Sequence, residues 1–202
     1  WTGWSSGLSR VGTTYWANGL EKRTAAELVV VWMRRCRRIA ARRPETSNMC
    51  GILGSWTNRP IARSVADAAL SAIEHRGPDD EGRLFDGNVF LGMRRLAVID
   101  LDGGQQPLWN ETGDCAVVMN GEIYNYVELS RELRQRGHCL ASDSDTEVAV
   151  HLYEDHGEDL ARPMRGMFAL AIWDRRRHRL VLARDRFGKK PLYYSRTPDG
   201  GL

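Results

Sequence analysis

Residues 49–56 read Met49-Cys50-Gly51-Ile52-Leu53-Gly54-Ser55-Trp56, and the character of the chain changes at this stretch. The run after Cys50 is short, apolar and bounded by polar residues, which predicts a buried strand. A cysteine before a strand is usually an inert buried thiol. Its place directly after a methionine changes that reading, because removing Met49 would leave Cys50 with a terminal α-amine. An α-amine has an unperturbed pKa of about 7.7 to 8.0 and can act as a general base beside the thiol it must activate. One residue then supplies both nucleophile and base, and no histidine partner is needed.

Upstream of this stretch the composition differs from the rest. Residues 1–49 hold four of the seven tryptophans and an arginine-dense run from Arg34 to Arg43. Nine Lys/Arg face three Asp/Glu there, a balance of +6 against −3 for residues 50–202. The basic character therefore belongs to the front segment and gives no reason to expect nucleic-acid binding by the remainder. Residues 24–43 could form a helix opened by a Thr24/Glu27 capping box, with no evident partner segment to bury its apolar side. Three origins stay open for residues 1–49: translation from a misplaced start, a cleaved propeptide, or a true basic extension.

Downstream, helix and strand signals alternate. Ile61, Val65, Ala68, Ala69 and Ile73 recur at helical spacing, and His75-Arg76-Gly77-Pro78 ends that helix in a turn. Strands are expected over 89–93, 96–101, 116–119, 167–173, 179–184 and 191–195, with turns at Gly103-Gly104, 111–114 and 174–178. Helices are expected over 127–136 and 146–156. The longest strongly apolar run, Leu28 to Met33, is far short of the roughly 20 residues that span a bilayer, so no membrane segment is expected. Cys36, Cys50, Cys115 and Cys139 stand far apart, without CxxC pairs or clustered histidines, so no metal site is expected. Such sparse thiols suit a reducing cytoplasm.

Six ordered blocks then carry a family resemblance: MCGI at 49–52, HRGPDDEG at 75–82, RRLAVIDL at 94–101, NGEIYN at 120–125, SDTEV at 144–148 and ARDRFGKKPLYY at 183–194. Together they resemble the N-terminal class II glutamine amidotransferase domain of the glutamine-hydrolysing asparagine synthetases, over essentially all of 49–202. The resemblance implies an α+β fold, the four-layer αββα sandwich of N-terminal-nucleophile hydrolases, truncated here at its C-terminal end. It implies that Cys50 attacks glutamine, with Asn120 and Gly121 as the oxyanion hole. Arg95 would hold the substrate α-carboxylate, for which a planar guanidinium is suited. Asp145 and Glu122 would receive the α-ammonium, and the backbone of Leu96, Ala97, Val98 and Ile99 would line the substrate.

Read without the motifs, these residues have blander meanings. Arg95 would be an ion-pair residue, Asp145 an N-cap or first-turn acid, and Asn120-Gly121 a hairpin turn. His75, Arg76 and Asp79 are read as structural supports of their turn, and Arg184-Asp185-Arg186 as structural support rather than a docking surface.

The domain reading is a basic extension over 1–49 and an incomplete amidotransferase domain over 50–202. No SGGxDS pyrophosphate loop is seen, so the synthetase portion is expected to be missing. ATP and Mg would belong to that portion, and this fragment would need no cofactor. The implied partners are L-glutamine and a C-terminal synthetase domain, with a homodimer left open and neither nucleic acid nor membrane expected. The chain as written should be inactive until Cys50 is N-terminal. Two alternatives remain: an amidotransferase of the same family serving a polysaccharide or peptide acceptor, and a silent regulatory or interaction domain.

Overall fold

A computed structural model describes residues 8–11, 14–18, 49–96, 104–196 and 201–202. These residues fall into two compact units. The expected helix over 24–43, residues 97–101 of the expected strand 96–101 and Gly103 of the expected turn lie outside the described residues.

One unit is built on a three-stranded antiparallel sheet of order β3-β5-β4, from β3 (Gly51–Trp56), β4 (Asp80–Asp86) and β5 (Val89–Arg95). The apolar run after Cys50 forms β3 as expected. Helix α1 (Arg63–Ala72) puts Ala66 and Leu70 against Phe90 of β5, with Leu53, Ile61 and Phe85 packed around them. Strand β4 was not anticipated, because Asp80-Glu81-Gly82-Arg83 offers no apolar alternation. Its register with β5 closes on a two-residue Gly87-Asn88 loop in which Gly87 takes φ +54°, a conformation natural to a hairpin glycine.

The other unit has a six-stranded antiparallel sheet of order β1-β2-β9-β8-β7-β6. Its strands are β1 (Leu8–Val11), β2 (Thr14–Asn18), β6 (Leu108–Trp109), β7 (Cys115–Ile123), β8 (Gly166–Asp174) and β9 (Arg179–Arg184). The backbone of residues 8–11 and 14–18 thus adds two strands to the β9 side of this sheet. Helices α2 (Tyr126–Gln135) and α3 (Asp145–His156) cover one face. Val117, Met119 and Ile123 of β7 pack there with Leu129 and Leu133 of α2 and Val148, Leu152 and Tyr153 of α3. Helix α3 is buried continuously from Asp145 to Tyr153, so it runs through the interior rather than along the surface.

Two antiparallel sheets with interspersed helices place the chain in the expected α+β class. Residues 191–195 were expected to be a strand, yet they are irregular and mostly exposed. Pro191 contributes to this, since it cannot donate to a ladder.

Candidate active site

In the first unit, Cys50 sits immediately before β3, half-buried. The register of β3 with β5 ends at Gly51 opposite Arg94, so one further step sets Cys50 across from Arg95. The Leu96 N–H donates to Cys50 Sγ at 3.3 Å, and the thiol reaches back to the Leu96 carbonyl at 3.5 Å. The end of β5 therefore holds the sulfur by its backbone. Arg95 is buried, at 5% exposure, which is rare for an arginine without a dedicated task.

The turn after α1 supports this corner. Arg76 donates from its guanidinium to the Cys50 carbonyl at 3.4 Å. A side chain at Gly77 would meet the Arg94 and Arg95 backbone within 2.5 Å, and Asp79 N–H bonds the Arg95 carbonyl at 3.1 Å. A Cβ on Gly51 would meet Ile73 at 2.9 Å and Arg76 at 3.2 Å. The structural reading of the His75–Asp79 turn thus gains a purpose for Arg76, which sets the backbone of Cys50. The sequence signal for that role was the HRGPD block itself.

In the second unit, Asn120 and Gly121 lie within β7, paired with Ala169 and Phe168 of β8. They do not form the hairpin turn that Asn-Gly otherwise signals, because the strand runs on to Ile123. Gly121 has φ +151°, and a Cβ there would stand 2.1 Å from the Met167 carbonyl oxygen. Glycine is therefore obligatory, and its backbone departs from the geometry of a regular strand. Asn120 is buried at 6% exposure.

Asp145 opens α3, yet Ser144 is the cap, its hydroxyl accepting from Thr146 N–H at 3.2 Å. The Asp145 carboxylate instead turns to β7 and accepts the Ile123 N–H at 2.8 Å. Burial pushes the Asp145 pKa up, opposed by the Ile123 N–H, and the nearby negative charge of Glu122 pushes it further. A buried carboxylate with a second acid beside it is a place that a cation would relieve.

The structure thus brings Cys50, Arg76, Arg95 and Leu96 together in one unit, and Asn120, Gly121, Glu122 and Asp145 in the other. Ala97, Val98 and Ile99, expected to line the substrate, lie outside the described residues. Cys115 is a buried core thiol whose pKa is pushed up to about 12, first by burial and then by Asp174 and Glu154, so it is no nucleophile. Asp185 is structural as expected: its buried carboxylate collects the N–H groups of Phe168, Phe187, Lys189 and Lys190. No helix among the described residues is long and apolar enough to cross a membrane.

A family model described as a glutamine amidotransferase domain matches residues 49–202. Asparagine synthetase [glutamine-hydrolyzing] 1 of Bacillus subtilis (strain 168) is 44% identical over 156 residues, covering 75% of this chain and 25% of that protein. Its counterpart from Asparagus officinalis is 43% identical over 157 residues, covering 76% of this chain and 26% of that one. The chain spans about a quarter of the length of these relatives. Among solved structures, a glutamine phosphoribosylpyrophosphate amidotransferase from B. subtilis superposes with a TM-score of 0.51 at 19% identity, covering 65% of this chain and 41% of that one. That likeness concerns the fold.

Proposed function

The chain belongs to the glutamine amidotransferase domain family, and from that premise we propose that it hydrolyses L-glutamine to glutamate and ammonia with Cys50 as nucleophile. The observation that carries the reading is the setting of Cys50: a half-buried thiol at the start of β3, its sulfur accepting the Leu96 N–H at 3.3 Å and its carbonyl bonded by Arg76.

In this reaction the Cys50 α-amine takes the thiol proton, and the sulfur bonds to the side-chain carboxamide carbon of glutamine. The carbonyl electron pair moves onto oxygen, where the Asn120 amide and the Gly121 N–H donate to it. Donors of this kind are each worth about 100- to 1000-fold in turnover. The oxyanion collapses, the C–N bond breaks, and the ammonium form of Cys50 protonates the departing nitrogen, giving ammonia and a glutamyl thioester. Water, deprotonated by the same amine, then cleaves the thioester to glutamate and restores the thiol. Arg95 takes the substrate α-carboxylate, while Asp145 and Glu122 take its α-ammonium, which supplies the positive charge their neighbourhood calls for. Leu96 to Ile99 complete the amino-acid site.

The chemistry requires the peptide bond between Met49 and Cys50 to be cut, because an amide nitrogen cannot act as the base. The relatives are named asparagine synthetases, so the ammonia is proposed to pass to a synthetase portion of the same polypeptide that amidates aspartate. ATP and magnesium belong to that portion, and no residue of this chain is assigned to them. A reducing cytoplasm would keep Cys50 active, and the described cysteines take part in no disulfide.

The test is glutamate release by protein expressed from Met49, with removal of that methionine verified by mass. Cys50→Ala should abolish release while leaving the circular dichroism spectrum unchanged. Undiminished release from the variant would end the assignment.

A further inference from the structure

Four side chains from three separate pieces of the second unit converge away from the residues assigned to glutamine. They are Glu111 in the turn between β6 and β7, His138 between α2 and α3, and His151 and Glu154 on α3. Their ligating atoms all lie within 4.8 Å of one another. His151 Nδ1 is 3.0 Å from Glu154 Oε2 and 3.2 Å from Glu111 Oε2. His138 Nδ1 is 3.4 Å from Glu111 Oε1 and 3.6 Å from Glu154 Oε2. Four nitrogen and oxygen ligands about 2.0 to 2.2 Å from a zinc ion occupy corners roughly 3.3 to 3.6 Å apart. The four nitrogen–oxygen separations, 3.0 to 3.6 Å with one or the other oxygen of Glu111, bracket that spacing, and all four ligating atoms fall within 4.8 Å, close enough to close on one ion.

The outer atoms are arranged to match. His138 Nε2 is 3.1 Å from Asp155 Oδ1, which keeps the proton on that nitrogen and leaves Nδ1 as a lone-pair donor. His151 is wholly buried, and its Nε2 faces the buried Glu147 carboxylate, with Oε1 at 3.6 Å. Carboxylates behind ligating imidazoles are the recurrent means of fixing tautomer and raising ligand basicity. The candidate carboxylates are themselves held: Asn110 donates to Glu154 Oε1 at 2.7 Å, and the Cys139 N–H to Glu111 Oε1 at 3.4 Å.

An ion-pair network is the other use these four groups could have. Both imidazoles aim Nδ1 at the same two acids while their rings stand 4.9 Å apart, so charging both places like charges side by side. A single divalent cation lets both remain neutral and answers all four groups at once.

We propose that Glu111, His138, His151 and Glu154 form a four-coordinate site for a divalent transition metal, zinc by ligand type. With every corner filled by protein, the site is structural, tying the β6–β7 turn and the α2–α3 connection to α3. The pair His151-x-x-Glu154 puts two ligands one helical turn apart on the same face.

The test uses the tag-free 202-residue chain, stripped with a chelator and titrated with Zn²⁺. The protein should retain one equivalent after desalting. At free zinc near 100 times Kd its unfolding midpoint should rise by about 5 to 10 °C. Loading with Co²⁺ should give the absorption of a tetrahedral nitrogen–oxygen site, without a thiolate charge-transfer band. His138→Gln and Glu111→Gln, both at partly exposed positions, should lose the retained equivalent with an unchanged circular dichroism spectrum. Asp155→Asn should weaken binding about 10- to 100-fold. Cys139→Ser, at an exposed neighbour, should keep the full equivalent. The proposal is overturned if only traces of metal are retained with no midpoint shift, which would leave an ion-pair network. It is equally overturned if His138→Gln retains the metal or Cys139→Ser loses it.

Discussion

Replacing Asp145 by Asn should weaken glutamine binding and stabilise the protein, a pairing that a purely structural carboxylate would not produce. The amide keeps the shape and can still accept the Ile123 N–H, now bonded at 2.8 Å, while the charge is lost. Asp145 is only 5% exposed, so a charge-assisted bond from the substrate ammonium is worth about 1.5 to 3 kcal/mol. That predicts a rise in KM of about 10- to 150-fold. Turnover at saturation should change little, since the ammonium is bound alike in ground and transition states.

Stability moves the other way. Burial and then Glu122 raise the folded pKa of Asp145, so the folded state binds the extra proton and stability falls as pH rises through that window. At neutral pH the charged form is a net cost. Its removal should add on the order of 0.5 to 2 kcal/mol, a midpoint shift of about 1 to 8 °C. Initial rates of glutamate release by protein starting at Cys50, with thermal unfolding of the same samples, give both numbers. An unchanged KM would refute the substrate role, and a lower midpoint would refute the electrostatic argument.

Gly121→Ala should be costly on two counts: its Cβ would lie 2.1 Å from the Met167 carbonyl and its φ is +151°. Thermal unfolding should show a loss of about 3 kcal/mol or more, and glutamate release should fall about 100-fold as the N–H moves. Glu147 should shape the acid limb of stability. Burial opposes its charge, but His151, Ser142 and the Ala141 and Ser142 N–H groups outweigh this and hold its pKa down to about 2. Its contribution, on the order of 3 kcal/mol, is fully present above the unfolded value near 4.5 and is lost as pH falls through about 2. Denaturant titrations should therefore show Glu147→Gln flattening the loss of stability between about pH 4.5 and 2.

The nucleophile and its strand were legible because Gly51 to Trp56 is a local signal, an apolar run that needs nothing remote to explain it. Asp145 was legible as a first-turn acid, but its true partner, the Ile123 N–H, is set by how α3 lies on β7 and so could not be read from spacing. Asn120-Gly121 misled when read alone. The local turn preference is real, yet pairing with β8 overrides it and uses the glycine for close backbone approach. Strand β4 escaped notice because sheet position, not hydrophobic alternation, makes Asp80–Asp86 a strand. The His138/His151 cluster was invisible for a similar reason: apart from His151-x-x-Glu154, its members meet only through the fold.

The account rests on Cys50 having a free amine, and the most direct measurement compares two proteins differing in that respect. One is the intact chain, shown by mass spectrometry to keep Trp1; the other begins at Cys50. Loss of a positioned general base typically costs about 100- to 10,000-fold. Glutamate release should therefore be at least about 100-fold slower from the intact chain. Equal rates from the two would contradict the claim that the α-amine of Cys50 is the base.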